Sequence, residues 1–147
     1  MQIEYIEKKL LELCKEAIAQ DRIPVSAVVT KNDEIVSWAF NGIKSIEHAE
    51  ILALEKAMNT LNTKRLDGCN IYVSLEPCPM CAYAISLARI EKVYFFSLDK
   101  KNGAILSNTN IIEYFELKLK WEYKNNSAFE NMLKDYFKNK RRLTVLK

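Results

Sequence analysis

Three short pieces of the chain carry residues that could share one metal ion: His48-Ala49-Glu50, Pro77-Cys78 and Cys81. One imidazole nitrogen and two thiolates form a ligand set that suits Zn²⁺. Three protein ligands leave one tetrahedral position open, as a catalytic zinc requires and a structural zinc does not. Glu50 is not needed as a ligand. A carboxylate two residues from a ligating histidine is placed to carry protons to and from water activated by the metal.

The elements that must position these residues agree with that reading. Ile51 to Ala57 reads as helix, which puts His48 and Glu50 in its first turn. Helical side chains lean toward the N-terminus, so both can reach a target beyond the helix end. Pro79 suits the first position of the next helix, with Cys78 at or beside its cap. Cys78 and Cys81 are then three apart and share a face. A helix N-terminus also favours the thiolate that zinc requires. Taken singly, a C-x-x-C pair reads equally as a redox pair or half a zinc knuckle, and a lone histidine as a packing residue. His48 is the only histidine in the chain. Cys14 and Cys69 could in principle complete a four-ligand structural site. Cys14 falls on the apolar face of a helix and Cys69 follows Gly68 at a strand start, so both read as core residues.

Length and composition bound the rest. The 147 residues make one ordinary domain, 1–147, and 49% apolar content is enough for a full core. No run of 18 or more apolar residues occurs, so no membrane association is expected. Glu4, Glu7, Lys8 and Lys9 interrupt the N-terminal apolar positions, unlike a secretory signal. Four cysteines, two of them committed to metal, point to a reducing, cytoplasmic setting without a disulfide framework. A net charge of +3 permits an anionic partner without demanding one.

Along the chain, Ile3 to Ala19 has helical apolar spacing through Ile6, Leu10, Leu13, Cys14 and Ala17. Val25–Thr30 and Glu34–Phe40 read as strands joined by a hairpin at Lys31-Asn32-Asp33. Asn41 to Glu47 is a loop, and the helix that follows runs to about Asn62. Asn70–Leu75 reads as a strand, Pro79–Arg89 as a helix and Lys92–Ser97 as a strand, with parallel pairing of the two strands. Leu117, Leu119, Trp121 and Tyr123 alternate with charged residues, as in a half-exposed strand. Ser127-x-x-Glu130 forms a capping box for a last helix whose apolar face is Phe129, Met132, Leu133, Tyr136 and Phe137. The order α-β-β-α-β-α-β-(short helix)-β-α gives an α/β fold, a five-stranded mixed sheet with helices on both faces.

H-x-E followed by P-C-x-x-C is a known signature of zinc-dependent nucleobase deaminases. From Ile23 onward the chain resembles the bacterial tRNA-specific adenosine deaminases of the cytidine deaminase superfamily. Carrying the resemblance are Ile23-Pro24-Val25-Ser26-Ala27-Val28, Asn41, His48-Ala49-Glu50-Ile51, Leu75-Glu76-Pro77-Cys78-Pro79-Met80-Cys81-Ala82, Ser97-Leu98-Asp99-Lys100-Lys101-Asn102-Gly103-Ala104 and Tyr136-Phe137. Only the last two are more specific to the tRNA enzymes. Ser26 stands where the family usually has Gly, Leu98 where a polar residue is common and Tyr83 where a small one is usual. The stretch before Leu117 is shorter than is usual.

The resemblance implies a cytidine-deaminase-like three-layer sandwich, a homodimer, one zinc per chain held by His48, Cys78 and Cys81, and no organic cofactor. The implied reaction is hydrolytic conversion of the wobble adenosine of a tRNA anticodon to inosine. In it, Glu50 would take a proton from water, adenine C6 would be attacked, and Glu50 would protonate ring N1 and then the amine that leaves as ammonia. Asn41 would contact the target nucleoside, the Ala49 backbone N–H the base, Asp99 the anticodon loop, and the helix end around Phe137 the tRNA. An unstacked loop is a cheaper source of a flipped adenine than a duplex. A free guanine or cytosine deaminase would share the zinc pattern without needing the basic run Lys138-Asn139-Lys140-Arg141-Arg142. A non-catalytic zinc or RNA-binding module would have no use for Glu50. Basic tails of this kind are also often only solvated ends.

Overall fold

The computed structural model describes residues 3–146, with the side chains of 144–146 left aside. Its five strands lie in the order β2-β1-β3-β4-β5. They are β1 (Ser26–Lys31), β2 (Glu34–Phe40), β3 (Cys69–Val73), β4 (Lys92–Phe95) and β5 (Lys120–Tyr123). β1 pairs antiparallel with both β2 and β3, whereas β3–β4 and β4–β5 are parallel, so the sheet is mixed as expected. The hairpin between β1 and β2 turns on Asn32 and Asp33, both at positive φ (51° and 62°), the left-handed pair that a tight two-residue turn needs.

Side chains alternate across the sheet and build two cores. Ala27, Val29, Ile71, Val73, Val93 and Phe95 pack against α2 (Ala49–Leu61) and α3 (Pro79–Leu87) on one face. Val28, Tyr72 and Phe96 pack on the other against Ile6, Leu10 and Leu13 of α1 (Ile3–Ala19) and Phe129 of α5 (Ser127–Leu146). A short α4 (Ile111–Tyr114) precedes β5. This is the three-layer arrangement expected, with central β1 buried along five of its six residues, as a strand covered on both faces must be. Cys14 and Cys69 are buried within these cores.

Several boundaries differ from the sequence reading, each for a local reason. β3 stops at Val73 because the Ser74 hydroxyl takes over the ladder, accepting the Ser26 N–H at 2.9 Å. β5 begins at Lys120, since Leu117 still donates its N–H to Ile112 in the turn after α4. β4 ends at Phe95 and α3 at Leu87, before Ser97 and Arg89 respectively. His48 is the N-cap of α2, not a first-turn residue. The start of α5 is capped one residue early, by Asn126 Oδ1 accepting the Ala128 N–H at 3.0 Å, in place of a Ser127–Glu130 box. Among the described residues, no helix is long and apolar enough to cross a membrane.

Candidate active site

Two helices start at the same place. His48 caps α2 and Cys78 caps α3, and neither side chain makes a capping hydrogen bond. Both are therefore available to a ligand at the point where two sets of free N–H groups and two helix dipoles favour negative charge. Pro79 occupies the first helical position of α3, where its missing N–H costs nothing. Cys81 follows one turn later, fully buried.

The ligand atoms of His48, Cys78 and Cys81 all lie within 4.8 Å of one another, the one such group of potential metal ligands among the described residues. His48 Nδ1 stands 3.6 Å from Cys78 Sγ and 3.4 Å from Cys81 Sγ. Tetrahedral zinc with ordinary Zn–S and Zn–N lengths would hold a nitrogen and a sulfur about 3.6 Å apart. The three residues fit zinc in both chemistry and spacing, with Nδ1 as the imidazole donor. The hydrogen bond from Cys81, helped by His48, draws Cys78 down to about 5. Donation to Cys78, together with burial, pushes Cys81 well above the ordinary thiol range. Both thiols would give up their protons to hold a divalent cation here, since zinc binds thiolates and releases protons on binding.

Glu50, on the first turn of α2, is only 3% exposed. Burial, with the nearby Cys78 thiolate, raises its carboxyl to about 7, while its own backbone N–H and His48 act in the opposite direction. A buried acid near neutrality can both accept and return a proton, although a cation beside it would draw the value down. Glu50 opens with His48 and Cys78 onto a cavity of about 720 Å³ that also meets Asn41, Asp99 and Phe137. Asn41 Oδ1 accepts the Ala49 N–H at 2.8 Å, so the Ala49 donor is engaged by Asn41, which itself lines the cavity. The Asp99 carboxylate accepts the N–H groups of Lys101 and Asn102 at 3.2 and 3.0 Å and shapes its own turn. Phe137, on α5, is 41% exposed at the cavity edge.

The structure gives places at the site to residues that the sequence analysis named without a role there. Leu75, Leu98 and Leu133 supply apolar cavity wall. Glu76 is buried two residues before Cys78 and holds backbone N–H groups from 99–107. Its one sequence signal is a carboxylate inside the apolar run that leads to Pro77. Ser26 donates its hydroxyl to the Leu10 carbonyl at 2.8 Å, which pins α1 to the start of β1 and accounts for a side chain at that position.

Residues 1–97 match the model of the cytidine and deoxycytidylate deaminase zinc-binding region. The chain is 43% identical to a tRNA-specific adenosine deaminase of Aquifex aeolicus, over 94% of this chain and 95% of that one. It is 40% identical to a tRNA-specific adenosine deaminase of Bacillus subtilis, over 76% and 72%. A solved chain from a study of A-to-I editing by tRNA:A34 deaminases superposes with a TM-score of 0.77 at 27% identity, covering 90% of this chain and 99% of that one. A guanine deaminase from Nitrosomonas europaea superposes with a TM-score of 0.75 at 26% identity, covering 88% and 81%.

Proposed function

The chain belongs to the cytidine and deoxycytidylate deaminase family, and from that premise we propose that it deaminates the wobble adenosine of a tRNA anticodon to inosine, with His48, Cys78 and Cys81 holding one zinc and Glu50 carrying the protons. Two deaminase folds of nearly equal likeness, one acting on tRNA and one on guanine, leave the fold neutral between substrates. One observation carries the reading: the His48–Cys78–Cys81 group, with Glu50 on the same cavity, lies in a chain 43% identical over 94% of its length to a tRNA-specific adenosine deaminase.

When bound, zinc supplies a Lewis acid that makes water nucleophilic near neutral pH. The chain supplies the rest. His48, Cys78 and Cys81 would hold the metal, His48 and Cys78 also lining the cavity. Glu50 takes a proton from the water as its oxygen bonds to adenine C6 and delivers that proton to N1; it then takes the proton of the new C6 hydroxyl and passes it to the amine, whose bond to C6 breaks to release ammonia. Asn41 offers its amide NH₂ to an acceptor on the target nucleoside, its carbonyl being held by Ala49. Leu75, Leu98 and Leu133 take the faces of the base and exclude water. Asp99 shapes the rim on which the anticodon loop rests, and Phe137 offers a face for a neighbouring base.

The enzyme works as a homodimer in the cytoplasm. Supporting self-association, Met80, Tyr83 and Leu87 are exposed at three- and four-residue spacing on α3, and Tyr83 packs edge-on against Phe115, itself 54% exposed beside the 80% exposed Tyr114. Neighbouring exposed apolar side chains of this kind mark an interaction face.

Incubation of the zinc-loaded protein with total tRNA, and separately with free adenine, adenosine, guanine and cytosine, followed by nucleoside analysis, tests the reading. Inosine in tRNA with little turnover of the free compounds is expected. Faster turnover of a free base would give the site to a nucleobase deaminase.

A further inference from the structure

Glu76 takes no part in the chemistry above, yet a whole loop is organised around it. It is 2% exposed. Its Oε2 accepts the backbone N–H groups of Ile105, Leu106 and Ser107 at 3.1, 2.7 and 2.9 Å. Its Oε1 accepts the Asp99 N–H at 3.2 Å and the Ser107 hydroxyl. The main chains on either side are joined as well. Glu76 donates its N–H to the Ser97 carbonyl at 2.9 Å, and Ala104 donates to the Pro77 carbonyl at 2.9 Å. Gly103 permits the approach, because a Cβ there would collide with the Glu76 carboxylate and the Asp99 carbonyl. The loop so held carries Lys100, Lys101 and Asn102 to the cavity, while Glu76 itself sits two residues from Cys78.

Five donors on one acceptor-only group leave few alternative arrangements. We propose that Glu76 is a positioning residue that registers the Asp99–Asn102 rim against the metal-binding cysteines, so that it governs capture of the RNA rather than the chemical step. The proposal rests on the tRNA reading given above. An amide at this position is a donor on one of its two atoms. Glu76→Gln would therefore set donor against donor and leave buried N–H groups unpaired.

The test compares zinc-loaded wild type with Glu76→Gln and Ser107→Ala, in steady-state deamination of tRNA and in amide hydrogen exchange. In Glu76→Gln the KM for tRNA should rise about tenfold or more, the loss of at least one hydrogen bond to a charged group, with kcat within about threefold of wild type and zinc content unchanged. The amides of Asp99, Ile105, Leu106 and Ser107 should lose protection while those of Ile71 and Val93 keep theirs. Ser107→Ala removes one donor and spares the carboxylate. It should show the same pattern more weakly, and it carries the test if Glu76→Gln does not fold. An unchanged KM in the folded variants, or a fall in kcat at constant KM, would overturn the proposal. If the wild type makes no inosine in tRNA, the functional reading fails on its own. The exchange data then decide the positioning role: lost protection at the four amides upholds it, retained protection ends it.

Discussion

Lys140 Nζ lies 2.6 Å from Asp21 Oδ2, tying the end of the last helix to the turn that closes the first. Tyr136 adds its hydroxyl to the same carboxylate at 3.3 Å. One of the tail cations is thus committed within the protein. Its neighbour Arg141 instead lines a second hollow with Lys100, Lys134 and Phe137. That hollow shares Lys100, Leu133 and Phe137 with the zinc cavity, so basic and aromatic side chains continue outward from the site.

Tail substitutions should follow that division. Replacing Lys138, Arg141 and Arg142 with Ser leaves the Lys140–Asp21 pair in place and should weaken tRNA binding. The slope of log affinity against log salt should shrink by about one for each phosphate contact removed. Binding and salt slope unchanged from wild type would make the tail a solvated end.

Metal content should track the three ligands and no other cysteine. Elemental analysis should give one zinc per chain in wild type and in Cys14→Ser, since the Cys14 thiol is buried against Ser26 Oγ at 3.2 Å. Cys78→Ser should lose most of it. Zinc lost from Cys14→Ser and kept by Cys78→Ser would refute the ligand set.

Glu50→Ala should fold and hold zinc while losing at least about 10²–10⁴-fold in turnover, the range for one general acid–base group. Serving several proton transfers should place the loss at the upper end. Turnover within tenfold of wild type would exclude the proton-carrying role, and zinc loss in the variant would make Glu50 a ligand.

The exposed strip on α3 gives a test of assembly. Tyr83→Glu with Leu87→Glu places charge on that face without touching the core, both side chains being exposed. Sedimentation should show a dimer for wild type and a monomer for the double variant. A wild-type monomer at micromolar concentration would remove the dimer from the account.

What the sequence made legible was what close spacing carries. His48, Glu50, Cys78 and Cys81 lie in two short motifs, and capping and helix-turn geometry are enough to point them at one place. Helices on both faces of a five-stranded sheet were legible too, from the order of the elements and the helical spacing in α1. Glu76 was not, because its partners stand 23 to 31 residues further along and all but the Ser107 hydroxyl are backbone groups that carry no sequence signal. The engagement of Ala49 N–H by Asn41, eight residues apart across a loop, was hidden for the same reason. Strand ends were misjudged where a side chain, as at Ser74, replaces a ladder partner.

Position-resolved sequencing of tRNA after reaction bears most directly on the central claim, because inosine is read as guanosine on reverse transcription. An A-to-G change at the wobble nucleotide of tRNAs that carry adenosine there is expected, produced by wild type and abolished in Glu50→Ala. No change at that position with zinc-loaded wild type, accompanied by release of ammonia from free guanine or cytosine, would contradict it.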